Sequence, residues 1–407
     1  MLNKYKLGDI TEEYVEINLD NELDNVDYLQ GINNKKYFQE SNSNKNDINL
    51  LRYKICRNNT FAYNKATSRN NEKISIAYRT SGDCLVSPSY VTFKTINKNV
   101  VIDEYLMLWF KRPVFDKYVR FNSWGSATEF FTYSNFADTE IYLPSIEEQN
   151  KIVNIYNAIY NRIEIKKKLN NNLEAQAQAL FTSWFVDFEP FEHPTDEEGH
   201  PLPPLEWKRG ILNDCIDFLN GYAFKTDDLF DEPSSYCYDV FKMGNIKKGG
   251  GLNYNGTKSW IKQELCVGLD RFVARSGDVL MAMTDMKENV AILGNTALMD
   301  VDDKYIVNQR VGLLRPNGYL EISPYYIYLL TNNFSFLQEL RRNAHIGVQV
   351  NLSKEDIVNS PIAYAPKEIN CAFAHIVKPL FDCISINNAE ILKLNEIALQ
   401  IQNKLSY

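Results

Sequence analysis

The chain contains no CxxC pair, no HExxH, no GxSxG and no GxGxxG, and each absence removes a class of chemistry. Zinc hydrolysis and structural zinc need the first two patterns, and α/β-hydrolase or dinucleotide chemistry needs the others. Only four histidines occur, His193, His200, His345 and His375, without metal-ligand spacing. The seven cysteines are scattered and odd in number, as expected of reduced thiols in a cytoplasmic protein. The opening MLNKYKLGDI lacks the apolar run of a signal peptide, and no window approaches the length of a membrane span, so no membrane is expected. GLNYNGTKS, Gly251 to Ser259, nearly matches a phosphate-binding loop. Thr257 separates its second glycine from the lysine, and no buried parallel strand precedes it, so it is a glycine-rich turn. The EIK at Glu164 to Lys166 lies on a helix and is a solvated face. Catalytic and metal-binding residues are therefore expected to be none.

What remains is a chain of 407 residues, 44% apolar and 24% charged, enough for about two or three globular domains. The net charge of −8 argues against a nucleic-acid partner until its distribution is considered. Asp187, Glu189, Glu192, Asp196, Glu197, Glu198 and Glu206 fall in one segment that has no Lys or Arg and carries five prolines. Its composition is that of a linker. The rest of the chain is close to neutral and free to carry basic faces.

That segment divides the chain into similar halves. Each half has short strand-like runs, such as YVTFKTI and RFVARSGDVLMAM, and Gly82-Asp83 and Gly277-Asp278 precede comparable apolar runs. Each half ends in a heptad segment. Val377, Leu380, Ile384, Asn387, Ile391, Leu394, Ala398, Ile401 and Leu405 alternate spacings of three and four. A constant shift of 221 residues, from Val377 back to Tyr156, lands on Tyr156, Ile159, Ile163, Lys166, Asn170, Leu173, Ala177, Leu180 and Trp184. Lys166 falls where Asn387 sits, a polar residue at one seam position in both copies, which suits register specification. A single amphipathic helix is explained by covering its own sheet. Two in-register copies point instead to helices that pair with each other. Pro379 implies that the second helix starts there or kinks.

Two copies of one unit tend to pair about a pseudo-two-fold axis, which makes their helices antiparallel. About 30 residues at ~1.5 Å rise would then hold two end domains roughly 45 Å apart. The fold class expected is α+β: two strand-rich domains separated by two long antiparallel coiled-coil helices, with an internal repeat.

Polar loops in both halves carry side chains suited to DNA. The first half offers Lys35, Lys36, Tyr63, Asn64, Lys65, Arg69, Arg79, Ser89 and Tyr90. The second offers Lys225, Lys242, Asn245, Lys247, Lys248, Asn308, Gln309, Arg310, Arg341, Arg342 and Gln349. Arg and Lys suit phosphates and guanine, and Asn and Gln suit adenine. LPSIEEQNKIVNIYNAIYNR, residues 143 to 162, raises the other question, whether Glu147, Glu148 and Gln149 are catalytic. Ser145 as N-cap and two acids in a first turn make this a helix start rather than an active site.

The stretch from LPSIEEQ through the coil to SWFVDFEPF resembles the central conserved region of specificity subunits of type I restriction–modification systems. GYAFK, GNI, SGDVLMAMT, NQRV and NLSKEDI resemble that family's second target-recognition domain, and FAYN with SPSY a common form of its first. The resemblance covers essentially the whole chain. It implies recognition domains at 1–145 and 207–368, conserved helices at 146–186 and 369–407, and an acidic linker at 187–206. It further implies a non-catalytic subunit binding double-stranded DNA and two methyltransferase subunits, with restriction subunits in the full complex. S-adenosylmethionine, ATP and Mg would belong to those partners, and this chain would hold no cofactor. The second half departs from the pattern, with APKEIN in place of the EQ phrase, which implies weaker capping there. A rival from another class is a coiled-coil scaffold joining proteins rather than DNA.

Overall fold

The computed structural model describes residues 2–41, 48–67, 73–125, 129–286, 290–346 and 349–405. It forms two compact units, Met1–Ile165 with Glu390–Tyr407, and Lys166–Ala389, so each long helix contributes to both.

In the first unit, strand Asn3–Lys6 pairs antiparallel with Glu140–Leu143 and ties the domain's beginning to its end. Between them lies a four-stranded antiparallel sheet in the order Thr11–Tyr14, Tyr90–Thr95, Phe61–Asn64, Ile76–Tyr78. Its inner face is aromatic. Phe61 stacks on Phe93 at 4.9 Å, and Phe93 meets Phe136 at 4.7 Å, beneath helices Asp103–Phe110, Pro113–Phe121 and Tyr133–Ala137. Bulky rings on alternate strand positions need a helical lid to leave water, and these helices supply it.

The second unit repeats the closure, with Lys208–Ile211 paired to Pro361–Tyr364. Its four-stranded sheet runs Ile216–Asn220, Val311–Pro316, Val279–Ala282, Thr296–Leu298. A three-stranded sheet is added, in which Cys237–Phe241 and Tyr305–Val307 are parallel. Three helices follow, Pro324–Thr331, Phe334–Arg342 and Lys354–Val358. Each begins and ends 221 residues after its counterpart in the first unit, and so does the closing strand. The repeated Gly-Asp pairs are turns: Gly82 has φ +83° and Gly277 φ +90°, a conformation glycine adopts without a Cβ clash, and a strand begins after each aspartate.

The first long helix spans Ile146–Phe185 and the second Lys367–Lys404. The second starts twelve residues before Pro379, which excludes a start at that proline, one of the two alternatives expected there. Pro379 lies on the exposed side, so the carbonyl left without a helical donor is one turn back at exposed His375. The expectation that no stretch reaches membrane-span length also fails here, because Lys367–Lys404 is long and apolar enough to cross a membrane. Its Phe373, Val377 and Phe381 are instead buried in the core of the second unit.

Every predicted seam position is buried or half-buried, from Tyr156 to Leu180 and from Val377 to Ile401. In the first unit Gln402 donates to the Tyr156 hydroxyl at 3.0 Å, and Arg162 pairs with Glu390. In the second, Lys166 Nζ donates to Asn387 Oδ1 at 2.8 Å, and Asn387 Nδ2 to Asn170 Oδ1 at 2.8 Å. The two polar seam residues, equivalent in the repeat, therefore meet each other.

The acidic segment is anchored rather than free. Its carboxylates face solvent, but Phe188 and Phe191 pack on Trp207 at 5.3 and 5.5 Å.

Candidate nucleic-acid interface

Each long helix begins with contacts to its own unit. Glu148 N donates to Ser145 Oγ at 3.3 Å, and Glu147 pairs with Lys151 at 2.9 Å, so the two acids make an exposed first turn. Gln149 does more than continue that turn. It is fully buried, donates from Nε2 to the carbonyls of Val100 and Pro144, and accepts the Ile102 N–H at 3.0 Å. It latches the helix to the loop ahead of helix Asp103–Phe110. Asn370, 221 residues later, donates to Leu320 O and Ala365 O at 3.0 and 3.1 Å, while its Oδ1 has no partner. APKEIN thus keeps the latch with a shorter amide and one bond fewer.

In the second unit, two motifs far apart in sequence converge. Tyr222 N donates to Val307 O at 2.8 Å, and Gln309 N to Tyr222 O at 2.9 Å, which lays Gly221–Lys225 along Asn308–Arg310. Gly221 permits this approach, since a Cβ there would fall 2.2 Å from the Asn308 carbonyl oxygen. Lys225, Gln309 and Arg310 are exposed and Asn308 is half-buried. Tyr222 is exposed beside Phe224 and Phe272. The Arg310 carbonyl accepts the Met283 N–H, which joins this loop to a small sheet where Met286 faces Gln349. Asp285 accepts the N–H groups of Ile292 and Leu293. These adjoining segments therefore carry a guanidinium, three amides, an ammonium and an aromatic hydroxyl. That set can contact both phosphates and base edges.

The first unit brings FAYN and SPSY together, with Asn64 opposite Tyr90 across the central strands. Ser89 is exposed at the turn, and its hydroxyl meets that of Ser87. The Lys65 carbonyl accepts the Phe131 N–H at 2.8 Å, and its ammonium lies 5.8 Å from the Phe130 ring. Phe121 and Trp124 stand exposed nearby, and sequence reasoning missed both. The available signal was two aromatics in RFNSWGS, a stretch otherwise too polar and glycine-rich to form core.

Several predicted contacts are corrected by their surroundings. Lys36 is buried and paired with Asp116 at 2.8 Å; desolvation lowers its pKa despite that carboxylate. Tyr63 is a core ring against Phe136, and burial pushes its phenol far above the usual range. Asn245 is buried, accepting the Lys242 N–H and donating to Thr257 O. Arg341 donates to Leu293 O at 2.9 Å and braces that loop, and partial burial lowers its pKa. Arg79 is similarly spent on the carbonyls of Gly82 and Ser81. The Tyr90 hydroxyl accepts the Ile32 N–H, so this ring supports the turn.

Lys247 and Lys248 are exposed, on a glycine-rich turn beside Asn171, Glu174 and Gln178 of the first long helix. They face that helix rather than the converged loops. Lys35 and Arg342 are exposed, and Lys242 is half-buried. Arg69 lies outside the described residues. The glycine-rich turn at Gly251 leads to strand Trp260–Lys262, not to the helix a phosphate loop requires. Among the described residues, no group of three or more His, Cys, Asp or Glu side chains could hold a metal ion.

A family model described as the type I restriction modification DNA specificity domain matches residues 21–175 and again 204–396. Among curated relatives, the type I restriction enzyme MjaIX specificity subunit of Methanocaldococcus jannaschii is 27% identical over 321 residues, 77% of this chain and 70% of that protein. The MjaVIII specificity subunit of the same organism is 24% identical over 320 residues, 77% of this chain and 71% of that protein. The crystal structure of the type I restriction–modification S subunit from M. genitalium matches with a TM-score of 0.54 at 13% identity, covering 100% of this chain and 96% of that one. That likeness concerns the fold. With the family model matched once in each half and across most of the length, the chain belongs to the type I restriction–modification specificity subunits.

Proposed function

We propose that this chain is the DNA-reading subunit of its complex, each recognition domain reading one half of a split target. The observation that carries this is the convergence in the second unit of loops bearing Lys225, Asn308, Gln309 and Arg310, with Asn64, Lys65 and Ser89 on adjoining segments in the first. The long helices pair antiparallel as a coiled coil and set the spacer between the half-sites. The meeting of Lys166 with its repeat-equivalent Asn387 supports that pairing, because a residue on a two-fold axis touches its own counterpart.

The same helices dock two methyltransferase subunits. Ile155 and Ile376 are exposed at equivalent positions, and so are Ile165 and Ile386, as two copies of one partner would require. Adenine methylation with S-adenosylmethionine, and ATP- and Mg-dependent cleavage by restriction subunits, belong to those partners. This chain supplies recognition and spacing, not catalysis.

Mapping methylated adenines in DNA exposed to this chain with its cognate methyltransferase tests the proposal. A split motif with one fixed spacer is expected. Absence of any site-specific methylation would overturn the reading in favour of a protein scaffold.

A further inference from the structure

The two copies of the repeat present different side chains at equivalent exposed positions, and the difference bears on which partner they meet. Helix Pro113–Phe121 ends at Phe121, which is 80% exposed, and Trp124 just beyond it is 72% exposed. Trp124 is held on a short ribbon, donating its N–H to Phe130 O at 3.2 Å and accepting the Phe130 N–H at 3.0 Å. Ala66 bridges to Phe130 on the other side, so the pair adjoins Asn64 and Lys65. The positions 221 residues later are Arg342 and His345, both exposed and polar.

Exposed aromatic rings are unfavourable in water and are not packing the core. A methyltransferase surface would not explain them either. Two copies of one methyltransferase would meet the two repeats with the same chemistry, as the isoleucines exposed at matched positions on the helices allow. What differs from one repeat to the other is the DNA half-site. Charge agrees with that choice: Lys117 is exposed one turn before Phe121 on the same helix face, suited to a phosphate beside the rings.

We infer that Phe121 and Trp124 form an aromatic wedge by which the first recognition domain stacks into a base step of its half-site. The inference rests on the proposed DNA-reading function and adds to it a mode of engagement confined to one domain. Apolar wedges unstack a step and bend the duplex, and aromatic faces recover stacking with the bases they part. Arg342 and His345 give the second domain polar contacts at the same place, so the two half-sites are deformed unequally.

The test uses the chain assembled with its cognate methyltransferase and duplexes of the mapped target, with 2-aminopurine at successive positions in either half away from the methylated adenines, which the methyltransferase itself would flip from the stack. The native complex should brighten 2-aminopurine in the half read by the first domain and leave the other half dark. The double variant Phe121→Ala/Trp124→Ala should abolish the signal and weaken binding by ~10- to 100-fold, the loss of about one stacked base. It should still assemble with methyltransferase, and Trp124→Phe should restore part of the signal. Arg342→Ala/His345→Ala should leave the signal unchanged. Unchanged affinity and fluorescence in the double variant would overturn the wedge, as would equal brightening in both halves. Loss of methyltransferase assembly would make the rings a protein-docking patch. A native complex that methylates no split site at all would overturn the DNA-reading function itself, an outcome distinct from normal methylation by both proteins.

Discussion

From Asp103 onward in the first unit and Pro324 onward in the second, helices and closing strand recur at one constant offset; the sheets before them do not. The first unit has a four-stranded antiparallel sheet and short ribbons, whereas the second adds a three-stranded sheet with a parallel pair. Regular repetition suits a surface that must be presented twice to the same partner. Divergence suits surfaces that read different things. Small differences inside the regular part are equally instructive, because the same position is solved twice: Gln149 against Asn370, buried Ile163 against half-buried Ile384, Lys111 against Asn332.

The largest effect is expected where the comparison concerns the helix seam. Ile163→Asp buries a carboxylate without a partner and should cost about 3–5 kcal/mol in urea unfolding. Ile384→Asp, on a less buried side chain, should cost clearly less. Equal costs would mean the two halves of the seam are packed alike. Either variant should also impair methyltransferase assembly, read by co-purification.

The latches come next. Gln149→Ala orphans one donor and two acceptors and should cost about 2–3 kcal/mol, whereas Asn370→Ala, with two bonds to lose, should cost about 1–2 kcal/mol. Thermal or urea unfolding of each variant checks the order, and a reversal would remove the shorter amide's deficit as the explanation.

At the candidate interface, Arg310→Ala should lower methylation at the half-site of the second domain by roughly 10- to 100-fold while leaving unfolding unchanged, because a specific base contact is worth about 1–3 kcal/mol. Lys36→Ala should do the reverse, destabilising the fold through Asp116 without changing specificity.

The smallest effect concerns Lys111, whose counterpart is Asn332. Burial pushes its ammonium down to about 8, with the Tyr37 hydroxyl at 3.2 Å and the Tyr37 and Tyr156 rings around it. A lysine whose folded pKa is depressed costs stability while charged, and the cost fades as pH rises from about 8 toward the unfolded value of 10.5. Lys111→Met should therefore raise the unfolding free energy near pH 7 by on the order of 1 kcal/mol, with the gain shrinking above pH 8, as urea unfolding at several pH values would show. A gain independent of pH would point to packing alone.

The seam was legible because heptad spacing is local: each residue's face follows from its number in the helix. The Gly-Asp turns were legible for the same reason. A helix start at Pro379 was the wrong one of the two alternatives, because a proline on an exposed face costs one hydrogen bond that water can replace, and propensity alone does not know which face that is. The candidate interface was half legible. NQR and GYAFK do meet, but Lys36, Tyr63, Asn245 and Arg341 are spent on the fold. Polar side chains in loops serve either use, and letters do not carry burial.

Sequence by itself determined the repeat, its offset of 221, the seam and the family, since periodicity and motif spacing survive in one dimension. Only the tertiary structure decided which polar groups face solvent and that Gln149 latches a loop. It alone placed Phe121 and Trp124 outside the core. The physical reason is that burial and hydrogen-bond partnership are set by segments distant in the chain, and a side chain's availability is what those segments leave over.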